Sequence, residues 1–166
     1  DGLRPETPLT VNEWAEKHRV LSGRASAEPG PFRVSRTPYI REPMLELSTH
    51  SSTERVVLMF ASQTGKTELG TCWIGWIIDH SPGPLLAVQA TQEMAKRLSK
   101  QRLESMLQET PCLRDKVAPA KARDSDNTMF SKSFPGGIML LTGANSATGL
   151  RSAPCRYLFM DEIDSF

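Results

Sequence analysis

The stretch Phe60-Ala61-Ser62-Gln63-Thr64-Gly65-Lys66-Thr67 ends like a phosphate-binding loop, but Phe60 stands where such a loop carries its first glycine. Its neighbours on either side decide between a nucleotide loop and a chance run of Gly, Lys and Thr. Before it lies Arg55-Val56-Val57-Leu58-Met59-Phe60, a continuous apolar run that predicts a strand buried on both faces. After it, residues 66–79 place Leu69, Cys72, Trp73, Ile74, Trp76, Ile77 and Ile78 nearly all round a helix, the pattern of a helix inside a core. Strand, loop and helix N-terminus aim backbone N–H groups at an anion, with a Lys to neutralise phosphate and a hydroxyl for Mg²⁺. On this reading Ser62, Gln63 and Thr64 line the loop, and Gly65 lets the backbone approach the phosphates. Lys66 reaches the β- and γ-phosphates of ATP, and Thr67 ligates Mg²⁺. Phe60 is then the last core residue of the strand. The plain alternative, a Gly-Lys-Thr that merely opens a helix, leaves the strand and the buried helix unexplained.

A second stretch meets the first. Arg156-Tyr157-Leu158-Phe159-Met160 reads as a strand whose tip carries Asp161-Glu162. Two adjacent acids at the end of a buried strand are costly unless a cation sits there. Mg²⁺–nucleotide supplies one: Asp161 holds the metal, directly or through water, and Glu162 polarises the attacking water. Acids that simply decorate a helix N-terminus would explain either residue, but not their pairing with Gly65-Lys66-Thr67.

The rest of the chain supplies the frame. Thr10 and Glu13 have capping-box spacing and predict a short helix through Trp14 to about Arg19. Gly23, Pro29, Gly30, Pro31 and Pro38 mark residues 22–38 as irregular, and a second helix is expected over Arg41–Leu47. Leu85-Leu86-Ala87-Val88 and Ile138-Met139-Leu140-Leu141 read as further strands, residues 92–108 as a charged helix, and residues 119–135 as a polar connection. Strands alternating with helices predict an α/β fold with a parallel sheet flanked by helices. In such a sheet ligands sit at the carboxyl ends of the strands, where both loops of interest begin.

Composition narrows the function. With 166 residues and 39% hydrophobic residues the chain can bury a core, and a formal net charge of +1 leaves nucleic-acid contact to a local patch. Three cysteines roughly forty residues apart, with no CxxC, argue against zinc or a disulfide framework and for a reduced, intracellular setting. No apolar run is long enough to span a bilayer, so no membrane partner is expected.

Taken together, "SQTGKTE", "AVQATQEMAKRLSKQRL", "LTGANSATGLRSAP" and "YLFMDEID" resemble the large terminase subunit of lambda-like tailed phages, the ATP-driven motor that packages viral DNA. The resemblance runs from about Trp14 to the last residue. It implies a P-loop ATPase of helicase and terminase type, with residues 1–38 as a lead-in. Residues 39–166 would be the N-terminal part of the ATPase domain, ending after the acidic Walker B strand, with the family's nuclease domain outside them. It implies that Tyr39 in "RTPYIREPM" stacks on adenine, against the alternative of plain packing, and that Gln63 matches the Gln preceding the Gly-Lys pair. Ser62 departs from the Arg that many terminases carry there. Arg151 in "TGLRS" matches an Arg that reaches a neighbouring subunit's γ-phosphate, and a guanidinium there would stabilise transition-state charge. Pairing with a local carboxylate or DNA phosphate is the blander role.

The implied partners are double-stranded viral DNA, the small terminase subunit, the portal of the procapsid and further copies of the chain in a ring. The implied setting is the host cytoplasm and, transiently, the portal. Lys96 and Lys100, with Asn145, are the candidate DNA contacts, although Glu93, Glu104 and Glu109 suit a solvated helix face as well. A superfamily 2 helicase fragment, or a DNA-binding module with a degenerate nucleotide site, are the competing interpretations.

Overall fold

The computed structural model describes residues 8–23, 28–117, 127–146, 150, 153 and 155–166. Its centre is β3 (Leu85–Gln89), buried along its whole length. On one side β3 pairs in parallel with β5 (Gly137–Gly143), and on the other with β6 (Tyr157–Met160). The register sets Ala87 beside Leu141 and beside Phe159, so all three carboxyl ends point the same way. β4 (Ser131–Phe134) extends the sheet antiparallel to β5, giving the order β4-β5-β3-β6. Pro135-Gly136 makes the hairpin turn; Gly136 at φ +83° suits the third position of a type II turn with Pro before it.

On this mixed sheet pack α3 (Lys66–His80) and α4 (Gln92–Arg97), while α1 (Val11–His18) packs on α3 and on α2 (Arg41–Glu46). α4 runs through a π-helical stretch, Leu98–Leu103, into α5 (Glu104–Glu109), and α6 (Pro111–Arg114) follows. A short antiparallel ribbon, β1 (Val20–Leu21) with β2 (Gly30–Pro31), sits apart from the main sheet. No helix among the described residues is long and apolar enough to cross a membrane.

α3 is the buried helix that the apolar pattern predicts, with Leu69 to Ile78 all inside. It lies so close to the sheet that a Cβ on Gly70 would come within 2.4 Å of the Phe159 ring on β6. This approach fixes the start of α3 against the end of β6. The Thr10–Glu13 capping box opens α1 as its spacing predicts. α1 then drives Trp14 into the core beside Gly75 of α3, where the indole N–H donates to Asp79 (2.7 Å) and Lys116 Nζ donates to the same carboxyl (2.7 Å). Burial acts to raise the pKa of Asp79, but the bonds from Lys116 and Trp14 outweigh it and hold the group below the ordinary carboxylate value. Trp14→Ala should therefore cost about 3–5 kcal/mol of stability, from the cavity and the lost hydrogen bond to Asp79 together. Equilibrium urea unfolding measures it; a loss under 1 kcal/mol would mean that α1 does not close this core.

Three expectations need correction. The apolar run Arg55–Phe60 is not a strand: it forms no ladder among the described residues, Val57 is 72% and Met59 95% exposed, and only Leu58 and Phe60 pack on the core. Apolar composition predicts burial, but a strand also needs a neighbour, and the described sheet ends at β6. The polar connection over 119–135 hides a strand: Lys132 and Phe134 of β4 turn inward in strict alternation. The helix over 92–108 is not uniform, because the π stretch interrupts it.

Candidate nucleotide-binding site

Gly65 caps α3 in the left-handed conformation (φ 91°, ψ 11°), and Lys66 is the first helical residue. A left-handed residue followed by a right-handed turn directs successive N–H groups to one concave side, which is the backbone basis of anion binding. The loop before it is held by Thr64, whose hydroxyl donates to the Ala61 carbonyl (2.7 Å). Gln63 adopts φ 58°, a conformation that costs a non-glycine residue of order 1 kcal/mol or more. Glu162, at φ 55°, is the other non-glycine residue in that region among those described. Both belong to the two stretches singled out above.

The stretches meet at one bond. Thr67 Oγ1 donates to Asp161 Oδ2 (3.0 Å). Asp161 is 9% exposed, and its N–H donates to the Val88 carbonyl (3.2 Å), so the β6 ladder continues to the acid itself. A hydroxyl and a carboxylate in contact, both hard oxygen donors beside a helix N-terminus, fit a magnesium ion. Glu162 follows on the exposed side, and Lys66 is half-buried at the first turn of α3.

Tyr39 reaches the same loop from a short 3₁₀ turn, Pro38–Ile40. Its hydroxyl donates to the Thr64 carbonyl (2.9 Å), its ring meets Phe60 edge-on with centroids 5.7 Å apart, and the residue is 50% exposed. Lys96, half-buried on α4, and exposed Lys100 are separated by the start of the π stretch, whose wider turn takes later side chains off the α-helical period. Asn145 is exposed in the turn after β5. Arg151 lies outside the described residues.

Two features escaped the sequence. Glu68, one residue past Thr67, pairs with Arg19 (2.8 Å), which is 4% exposed and anchors the first turn of α3 to the end of α1. Nothing local links residues so far apart in the chain. Gln89 ends β3 with its Nε2 buried and unpartnered. The signal there was a polar residue closing an apolar strand, the same pattern that marks Asp161 at the end of β6.

The family model for the ATPase domain of the phage terminase large subunit gpA matches residues 26–166. The chain belongs to the ATPase domain family of phage terminase large subunits. The chain is also similar to the large terminase subunit of Enterobacteria phage P21, 24% identical over 165 residues. That match takes in 96% of this chain and 24% of the phage P21 protein, so the chain spans about a quarter of its relative's length. No solved structure matches. The family model covers the loop at 62–67, the acidic tip at 161–162 and Tyr39 alike, and α1 lies before its first matched residue.

Proposed function

We propose that this terminase ATPase domain binds and hydrolyses ATP with magnesium, as the motor region of a machine that drives double-stranded viral DNA into a procapsid. The observation that carries the reading is the Thr67–Asp161 bond, which joins the end of a phosphate-type loop to the acid at the tip of β6. In a P-loop fold these are the two places where a metal-bound triphosphate needs protein oxygens.

Each residue then has a task. The N–H groups around Gly65 and the ammonium of Lys66 hold the β- and γ-phosphates. Thr67 and Asp161 would hold magnesium, which supplies charge neutralisation on the phosphate oxygens. Glu162 orients a water toward the γ-phosphorus and accepts its proton as the bond to the leaving ADP oxygen breaks. Ser62, Gln63 and Thr64 shape the loop, and the Tyr39 ring offers a face to adenine. Arg151 acts on the γ-phosphate of a neighbouring copy in a ring. Lys96, Lys100 and Asn145 contact DNA phosphates, and the small terminase subunit and the portal are the protein partners. The setting is the host cytoplasm, with a transient stay at the portal.

The test is direct. ATP with magnesium should release phosphate and raise the melting temperature, and chelating the metal should stop the release and abolish the rise. At a ligand concentration about a hundred times the dissociation constant the stabilisation is about 2.7 kcal/mol. A melting temperature indifferent to ATP and metal, with no phosphate release, would reject the reading.

A further inference from the structure

The Tyr39 hydroxyl has no task in base stacking, yet it makes a defined bond. It donates to the carbonyl of Thr64, the residue just before Gly65. In a trans peptide the carbonyl of one residue and the N–H of the next point in opposite directions. Turning the Thr64 carbonyl toward Tyr39 therefore turns the Gly65 N–H away from it. The peptide on the other side of Thr64 is constrained as well, since Gln63 is held left-handed and the Thr64 hydroxyl is tied to Ala61. Rotation of the 64–65 peptide plane would still turn the Gly65 N–H, and the Tyr39 bond restrains it.

Phe60 belongs to the same device. It stands where a phosphate loop would carry its first glycine, and its ring props that of Tyr39 at 5.7 Å with an interplanar angle of 83°. A glycine there would leave Tyr39 without this support. Half of Tyr39 stays exposed, so a base can still lie against it while the hydroxyl bond persists.

We propose that Tyr39, propped by Phe60, is a positioning residue for the phosphate site: its hydroxyl sets the 64–65 peptide so that the Gly65 N–H faces the phosphates. The proposal rests on the nucleotide reading above and adds to it a role for a group that never touches the base. It predicts a loss that is independent of the base.

Inorganic tripolyphosphate, which has no base, separates the two roles. The whole polypeptide, as wild type, Tyr39→Phe and Tyr39→Ala, is titrated with tripolyphosphate and with ATP, each with magnesium, and melting curves confirm equal folding. Tyr39→Phe should weaken both ligands by one common factor, about three- to tenfold, the range for one hydrogen bond. Tyr39→Ala should weaken tripolyphosphate at least as much and ATP further, because the ring is gone too. Wild-type affinity for tripolyphosphate in Tyr39→Phe would overturn the positioning role and leave the nucleotide site standing. Failure of the wild type to bind either ligand would overturn the nucleotide site and this role with it.

Discussion

Lys66→Ala is expected to weaken ATP binding at least about 100-fold and to reduce hydrolysis to background. One charge-assisted hydrogen bond contributes roughly 1.5–3 kcal/mol, and an ammonium between β- and γ-phosphates makes more than one. The γ-phosphate also gathers charge as it transfers, so the loss grows in the transition state. The residue is half-buried at the first turn of α3, where the helix dipole adds to its charge. Its removal strands no buried partner among the described residues and should leave the fold intact, which circular dichroism verifies. Lys17→Ala, on the exposed side of α1, is the matching control and should bind normally. Equal ATP affinity in the two variants would remove Lys66 from the site.

Glu162→Gln should do the reverse: nucleotide affinity near that of the wild type, with turnover lowered about 10²- to 10⁴-fold, the usual share of a general base. Glutamine keeps the shape and the polar contacts but cannot accept the proton of the attacking water. The left-handed backbone at this position is carried equally well by either residue, so geometry is preserved. Asp161, one residue earlier, keeps its bond to Thr67. Binding measured by calorimetry beside phosphate release in a single turnover separates the two effects. Turnover within tenfold of the wild type would show that another group activates water.

Much of the site was legible because its signals are local. Gly65-Lys66-Thr67 opening an apolar helix, and Asp161-Glu162 closing an apolar strand, are each contiguous in the chain, and their meeting follows from the close packing of α3 on β6 at Gly70 and Phe159. The errors arose where a local signal needed a distant partner. Val56 to Phe60 have the composition of a strand, but pairing is a property of two segments, and among the described residues they pair with none, although the sheet ends at β6. β4 was hidden because three of the four residues in Ser131-Lys132-Ser133-Phe134 are polar, and the buried Lys132 lies near Glu104 of α5 rather than in solvent. Pro135-Gly136 was the sequence's one visible mark of that hairpin. The Arg19–Glu68 pair and the Tyr39 bond to Thr64 join segments that nothing in the order of residues connects.

The outer side of β6 also bears on how the polypeptide behaves in bulk solution. Leu158 and Met160 stand half-exposed on a strand whose outer edge has no partner among the described residues, and Val57, Met59, Ile163 and Phe166 are also exposed. Open backbone groups flanked by apolar side chains are the template for intermolecular strand addition. Residues 1–166 held at high concentration would stick to one another along this border and come out of solution, unless further polypeptide or another molecule shields it. Solubility, rather than catalysis, is where that border would first be felt.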